Sequence, residues 1–159
     1  MKPSFASARS LTERPKRILL AEDDDAFRLL LADVLRADGH DVIEVCDGQH
    51  LLDKIAGALS DGNALEGIEL ILSDIRMPHF NALEVIAAMR SARIDVPIVL
   101  MTAFGDERTH DQAQLLGVFG VLDKPFEFDD LRTVVCNVLF GHINGVTVPE
   151  NDSRHRSEP

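Results

Sequence analysis

The sequence predicts an α/β fold in which a five-stranded parallel sheet carries helices on both faces, and three observations lead to that prediction. Short apolar runs alternate along the chain with longer segments whose apolar residues recur every three or four positions. Five such pairs follow one another. Turn residues separate the pairs, and the length of 159 residues suits one domain. Because parallel strands need crossover connections, this alternation predicts a doubly wound sheet.

The first pair shows the pattern most clearly. An apolar strand at 18–21 is stopped by four acidic residues, as expected of a strand that is buried on both faces. From Asp25 the period changes to that of a helix, and Gly39 supplies the left-handed residue that commonly ends one. The predicted inward stripe of this helix is Phe27, Leu30, Leu31, Val34 and Leu35.

The other four pairs follow in the same order. The second strand is predicted at 42–45 and the second helix at 50–59, with Leu51, Leu52, Ile55 and Leu59 inward. The third pair is 68–73 and 83–90, the fourth is 97–102 and about 106–116, and the fifth is 118–122 and 128–140. The loop at 60–67, with Gly62, Asn63 and Gly67, is longer than most connections of this kind.

The domain organisation predicted from this pattern is a disordered leader at 1–15, one folded domain at 16–141 and a disordered tail at 142–159. The leader lacks the apolar middle of a secretory signal, and the tail is polar without a helical stripe. No segment reaches the roughly 18 apolar residues that a membrane span needs. We therefore expect a cytoplasmic protein without membrane attachment.

Charge and cysteine content narrow the function classes. The net charge is −11, and the stretch 18–140 holds 9 basic against 23 acidic residues, which disfavours direct DNA binding through phosphates. Trp and Tyr are absent, so the usual platforms for stacking bases are missing. Cys46 and Cys136 lie in apolar stretches without a C-x-x-C pair or a His at metal spacing, and both are predicted to be buried small hydrophobes.

Polar residues follow four of the predicted strands at their carboxyl ends, where doubly wound sheets bind ligands. They are Glu22 and Asp23 after the first strand, Asp74 after the third, Thr102 at the end of the fourth and Lys124 after the fifth. Crowded carboxylates favour a hard cation, and Mg²⁺ suits oxygen ligands and phosphate. Together with an ammonium and a hydroxyl, the set would stabilise a phosphoryl group in transfer to a carboxylate such as Asp74.

Each residue taken singly has an ordinary structural explanation. The acidic run could cap the first helix through Asp24 or Asp25, and Asp74 could simply close a strand. Thr102 and Lys124 are uninformative alone. The combination at four strand ends is what favours a site.

At these motifs the sequence resembles the receiver domains of bacterial response regulators. The motifs are RILLAEDD at 17–24, ILSDIRMP at 71–78, VLMTA at 99–103 and KPF at 124–126, and the resemblance runs from about Lys16 to Phe140. It implies a flavodoxin-like sheet with strand order 2-1-3-4-5. The family function it implies is a two-component phosphorelay, in which a phosphoryl group passes from a histidine to an aspartate.

The resemblance also implies residue roles. Asp74 would be the phosphoacceptor, with Thr102 and Lys124 binding the phosphoryl oxygens. Mg²⁺ would be held by Asp23 directly, by Glu22 largely through water, by Asp74 and by the backbone carbonyl of Arg76. A cis peptide bond would join Lys124 to Pro125.

Three positions depart from the family pattern. Ala82 follows Asn81 where Asp-Gly is common, and the 60–67 loop is long. Val121 stands where the family has a Tyr or Phe whose ring turns inward on activation. Without the ring, we expect phosphorylation to act through loops beside the site and the start of the fourth helix, around residues 104–108. His79 and Arg76 also flank the site. We interpret His79 as a solvent-exposed loop residue, whereas Arg76 lies beside the path of an attacking water.

The sequence thus predicts a stand-alone receiver that catalyses only its own phosphorylation and dephosphorylation. Its partners would be a histidine kinase or a histidine phosphotransfer protein and a separate effector protein, and homodimerisation stays open. A phosphorelay intermediate without an effector is an alternative. A metal-dependent phosphohydrolase is less favoured, because Arg76 occupies the place of that class's second Asp. A phosphorylation-independent adaptor is disfavoured, because every polar site residue is present.

Overall fold

The computed structural model describes residues 14–61, 65, 67–103 and 105–141, with side chains 58, 59 and 61 excepted. Most of the predicted leader, the whole tail, Gly62 and Asn63 of the long loop, the side chain of Leu59 and residue Phe104 lie outside the described residues. The domain limits at 16–141 therefore stay a prediction.

Twelve elements make up the described part of the chain. The strands are β1 (Arg17–Ala21), β2 (Asp41–Val45), β3 (Ile68–Asp74), β4 (Arg76–Met77), β5 (Phe80–Asn81), β6 (Ile98–Thr102) and β7 (Gly120–Asp123). The helices are α1 (Asp25–Ala37), α2 (Gly48–Asp61), α3 (Ala82–Ser91), α4 (Glu107–Leu115) and α5 (Phe128–Phe140). Five parallel strands form one sheet in the order β2-β1-β3-β6-β7. The predicted order 2-1-3-4-5 is thus confirmed, because β4 and β5 stand apart from this sheet.

Among the described residues, the β4–β5 hairpin is the element pair that the sequence pattern missed. It pairs Met77 with Phe80 in antiparallel register, and His79 turns the chain with a left-handed φ of 58°. Two-residue strands are too short to produce a readable alternation. Strand β7 also begins at Gly120, two residues later than predicted, where Gly120 comes into register with Val99 of β6.

The sheet separates two apolar layers, because successive side chains of a strand point to opposite faces. Leu19, Ile71 and Leu100 pack with α2 and α3 on one face, whereas Leu20, Leu72 and Val99 pack with α1 and α5 on the other. The stripe predicted for α1 was wrong at Leu30, which is exposed. The buried residues of that helix are Leu31, Ala32 and Leu35, and Leu30 is turned about 100° away from Leu31.

Local capping fixes where the helices begin. Asp24 accepts a hydrogen bond from the Phe27 amide at 2.9 Å and caps α1, so the capping explanation for the acidic run holds for this residue. Asn81 caps α3 through the Leu83 amide at 3.0 Å. Ala82, in the place of the usual glycine, is the first residue of α3 and is buried without a positive φ. Its side chain is therefore accommodated without backbone strain.

No helix of the described residues has the combination of length and apolar character needed to cross a bilayer.

Candidate functional site

The parallel sheet brings the carboxyl ends of four strands to one edge, and the predicted polar residues lie there. Glu22 follows β1, Asp74 ends β3, Thr102 ends β6 and Lys124 follows β7. Strand pairing sets their heights: Asp74 is in register with Met101, and Thr102 is in register with Asp123. Residues far apart in the sequence are thereby gathered at one place.

Lys124 forms ion pairs with two acidic residues of the site. Its ammonium Nζ lies 2.8 Å from Glu22 Oε2 and 2.9 Å from Asp74 Oδ2, so one cation bridges two carboxylates from different strands. Both acids are buried, and the lysine side chain is only 20% exposed. Little solvent therefore screens these two ion pairs.

The surroundings shift the pKa of two of these groups. Burial raises the pKa of the Glu22 carboxyl, and the charge of Asp74 raises it further, although the hydrogen bond from Lys124 opposes them. Burial lowers the pKa of Lys124, but the bonds to Glu22 and Asp74 outweigh it, and the net shift is upward. Lys124 is therefore a permanent positive charge at neutral pH.

The carboxylates form a cluster suited to a hard cation. Oxygen atoms of Glu22, Asp23 and Asp74 all lie within 4.8 Å of one another. Three carboxylates against one ammonium leave an excess of about two negative charges, which a divalent cation would neutralise. Asp23 is exposed, so a bound ion would keep contact with water, as Mg²⁺ prefers. The donor set therefore fits Mg²⁺.

The two acids of the predicted pair differ in how they are held. Glu22 Oε1 accepts from the Asp24 amide at 3.2 Å and Oε2 accepts from Lys124, so both of its oxygens have protein donors. The Glu22 backbone is fixed as well, with its amide donating to Val45 and its carbonyl accepting from Arg28. Asp23 is instead exposed, and one of its carboxylate oxygens lies within 4.8 Å of those of Glu22 and Asp74. This difference favours direct metal binding by Asp23 over Glu22.

Backbone and ring contacts position Lys124. Its amide donates to the Thr102 carbonyl at 2.7 Å, and the predicted cis bond to Pro125 is present. Its ammonium lies 4.9 Å from the centroid of the Phe27 ring, and that ring packs on Phe126 at 5.9 Å. The sequence pattern predicted Phe27 only as part of a core stripe. Its position in the first turn after the acidic run was the signal available for this second role.

Arg76 and His79 follow Asp74 closely in the chain, and both are exposed. The Arg76 amide lies 3.4 Å from Asp74 Oδ1, which is a long contact. The prediction that His79 is a solvent-exposed loop residue is thus confirmed. The role of the Arg76 carbonyl as a metal ligand stays a prediction.

Val121 is half-buried in β7 and packs on the α2–α3 side of the sheet.

The cysteine predictions were partly wrong. Cys46 is exposed and Cys136 is only half-buried, so neither is a fully buried apolar residue. Cys46 also has a histidine within reach: its Sγ lies 3.9 Å from His50 Nδ1. This pair was not predicted because α2 begins at Gly48, two residues before the predicted start at 50, and the first turn of the helix brings His50 back toward Cys46.

Comparison with known proteins gives a consistent result. The sequence model of the family described as "Response regulator receiver domain" matches residues 18–136. The chain is 33% identical to the "Transcriptional regulatory protein PdtaR" of Mycobacterium tuberculosis over 118 residues, covering 74% of this chain and 53% of that protein. It is 25% identical to the "Sporulation initiation phosphotransferase F" of Bacillus subtilis, covering 78% of this chain and 94% of that protein.

A solved structure is also similar. The chemotaxis response regulator CheY4 of Vibrio cholerae superposes with a TM-score of 0.65 at 25% identity, covering 79% of this chain and 99% of that one. The chain therefore spans about half the length of the PdtaR relative, but nearly all of the Bacillus and Vibrio relatives.

Proposed function

The chain belongs to the response regulator receiver domains of two-component signalling, and on that premise we propose that it accepts a phosphoryl group on Asp74 from a phosphohistidine donor. The single observation that carries the proposal is the bridging position of Lys124, 2.9 Å from Asp74 Oδ2 and 2.8 Å from Glu22 Oε2. A carboxylate held beside a fixed ammonium and two further acids has the surroundings needed for phosphoryl transfer.

The proposed step is a displacement at phosphorus. An Asp74 oxygen forms a P–O bond while the P–N bond of the donor breaks, and the electron pair of that bond stays on the donor imidazole. The product is an acyl phosphate on Asp74. Mg²⁺, when bound, supplies positive charge that offsets the charge of the phosphoryl oxygens.

The chain's own residues have distinct tasks in this step. Lys124 is already paired with Asp74 and provides a second cation for the incoming phosphoryl group. Thr102 ends the neighbouring strand and supplies a hydroxyl donor. Asp23 would bind Mg²⁺ directly and Glu22 largely through water, with Asp74 and the Arg76 backbone carbonyl as further ligands. Phe27 covers the ammonium and limits its contact with water.

The partners follow from the same chemistry. The donor is a histidine kinase or a histidine phosphotransfer protein, and the output is binding of a separate effector protein rather than DNA. Relay of the phosphoryl group without an effector is the second candidate, favoured by the 94% coverage of the Bacillus phosphotransferase. Hydrolysis of external phosphate esters is disfavoured, because exposed Arg76 stands where a second acidic group would be needed.

The test is phosphorylation by acetyl phosphate and Mg²⁺, followed by intact-protein mass spectrometry. We expect one added phosphoryl group on the wild type and none on Asp74→Asn. Asp95→Asn is the matched control, because Asp95 is fully exposed and lies far along the chain from the cluster. An equal mass gain in Asp74→Asn and wild type would reject Asp74 as the acceptor.

A further inference from the structure

A second group of metal-ligating side chains lies at the junction of β2 and α2. It consists of Cys46, Asp47 and His50, and one ligand atom from each lies within 4.8 Å of the other two. It offers a thiol, a carboxylate and an imidazole, whereas the cluster around Asp74 offers carboxylates alone. The two groups therefore suit different cations.

The distances in this group come close to those of a metal site. Cys46 Sγ lies 3.9 Å from His50 Nδ1 and 3.9 Å from Asp47 Oδ2, and His50 Nδ1 lies 2.9 Å from Asp47 Oδ1. A tetrahedral Zn²⁺ with ordinary bond lengths holds its sulfur and nitrogen ligands about 3.6 Å apart. Shifts of a few tenths of an ångström in these exposed side chains would satisfy that geometry.

The backbone that carries the three residues is fixed. Val45, the last residue of β2, accepts a hydrogen bond from the Glu22 amide at 3.2 Å. Asp47 accepts from the His50 amide at 2.8 Å, which caps α2 and sets the spacing of the two side chains. Gly48 is buried against Phe80, and a methyl group there would overlap the phenyl side chain. The ligands are thus held on a rigid turn, which lowers the entropic cost of binding.

We propose that Cys46, Asp47 and His50 bind one Zn²⁺ ion, or another divalent transition-metal ion of similar softness, with water as the fourth ligand. A thiolate and a carboxylate neutralise the ion, and the imidazole completes the three protein ligands. The thiol releases its proton as the sulfur–metal bond forms. Side-chain exposures of 61% for His50 and 45% for Asp47 leave an open path for the ion and for the water ligand.

Mg²⁺ does not compete at this place, because it prefers oxygen ligands in an octahedral arrangement and gains little from a thiolate. The site is therefore separate from the acidic cluster in both location and chemistry. The proposal does not depend on phosphorylation of Asp74.

Cobalt provides a direct test, since Co²⁺ replaces Zn²⁺ and its bond to a thiolate gives a charge-transfer absorption band. The reduced, chelator-treated full chain is titrated with Co²⁺ in excess Mg²⁺, and Zn²⁺ is then added. We expect one Co²⁺ per chain with the thiolate band, which Zn²⁺ abolishes. Cys46→Ser should lose the band, and Cys136→Ser, the control for the other cysteine, should keep it.

Histidine variants provide the second arm. His50→Gln should weaken Co²⁺ binding by roughly tenfold or more, whereas His79→Gln, at an exposed histidine of the β4–β5 turn, should leave it unchanged. Circular dichroism checks that each variant is folded, and both substituted sites are exposed. A thiolate band that survives in Cys46→Ser, Co²⁺ binding without any such band in the wild type, or equal affinities for His50→Gln and His79→Gln would each overturn the proposal.

Discussion

His110 Nε2 lies 3.0 Å from Asp123 Oδ1, which links the first turn of α4 to the last residue of β7. Asp123 directly precedes Lys124, so the link ends one residue from the ammonium that bridges Glu22 and Asp74. Gly105 lies against this pair and against the methyl group of Thr102, where a larger side chain would overlap the Asp123 carboxylate. The His110–Asp123 contact therefore connects the site to α4. It lies on the same face of β7 as Val121, because residues two apart in a strand point to the same side.

Our first prediction concerns how phosphorylation is transmitted. Val121 has no ring to turn, and its branched side chain should keep one rotamer in both states. A charge-assisted bond from Thr102 to the phosphoryl group is worth on the order of 1.5–3 kcal/mol. That bond can shift the equilibrium between the inactive and active positions of the start of α4 by roughly 10- to 100-fold. We expect beryllofluoride to change amide chemical shifts mainly at residues 103–110 and little at 118–122.

The control for this map is Asp74→Asn, which should show no beryllofluoride response. Large changes centred on Val121 and α5 would contradict the prediction and would mean that the usual coupling operates without the ring. A further check is Gly105→Ala, which should disturb the His110–Asp123 contact and shift the His110 amide before any beryllofluoride is added.

The second prediction separates the two acids after β1. Asp23→Asn should weaken Mg²⁺ binding more than Glu22→Gln, because Glu22 already uses both oxygens on Asp24 and Lys124. A metal titration by calorimetry or fluorescence of an attached probe measures the order. The exposed Asp25→Asn is the control and should leave the affinity nearly unchanged. The reverse order for residues 22 and 23 would show that Glu22 is the direct ligand.

The third prediction concerns the stability of the site without metal. Lys124→Met removes the cation from two buried carboxylates, so the free energy of unfolding should fall by about 1–3 kcal/mol in the presence of chelator. Mg²⁺ should recover part of that loss, because it neutralises the same carboxylates. Urea denaturation with and without Mg²⁺ measures both effects.

Lys54→Met is the matched control for this prediction, since Lys54 is an exposed lysine of α2. It should change the free energy of unfolding by no more than about 0.5 kcal/mol and should not respond to Mg²⁺. A loss in Lys124→Met that is equally large at saturating Mg²⁺ would contradict the argument from charge.

The outline of the fold could be predicted from the sequence because strand and helix periods differ and both are strong here. The sheet order and the positions of Glu22, Asp74, Thr102 and Lys124 at neighbouring strand ends follow from parallel topology. Each of these residues lies at the carboxyl end of a strand, and in a parallel sheet the backbone pairing of the strands brings those ends to one edge.

Contacts made by side chains from other elements could not be predicted in the same way. The Phe27 ring contacts Lys124, which lies 97 positions later in the sequence, and a periodic pattern along the chain cannot predict a contact between residues so far apart in sequence. His110 meets Asp123 only because α4 packs over β7. The contact between Cys46 and His50 depended on the residue at which α2 begins, and element boundaries are the least certain feature of a pattern-based prediction.

The fourth prediction is a pH dependence at the start of α4. Asp106 caps this helix, and the hydroxyl and amide of Thr109, assisted by the charges of Arg76 and Arg108, hold the pKa of its carboxyl below the ordinary value of 3.8. A lowered folded-state pKa means that the cap stabilises the helix at and above pH 4 and loses its effect as the pH falls through the folded-state value. The acid form binds the Thr109 amide less strongly, since a carboxylate is the better acceptor.

The Thr109 amide reports this titration directly, because its N–H donates to Asp106 Oδ1 at 2.8 Å. We expect its proton chemical shift to move with a midpoint below pH 3.8 in the wild type. Asp106→Asn keeps a capping side chain but has no ionisable group, so its Thr109 amide should show no such step. A midpoint at or above 3.8 in the wild type, or the same step in Asp106→Asn, would show that another group controls the start of α4.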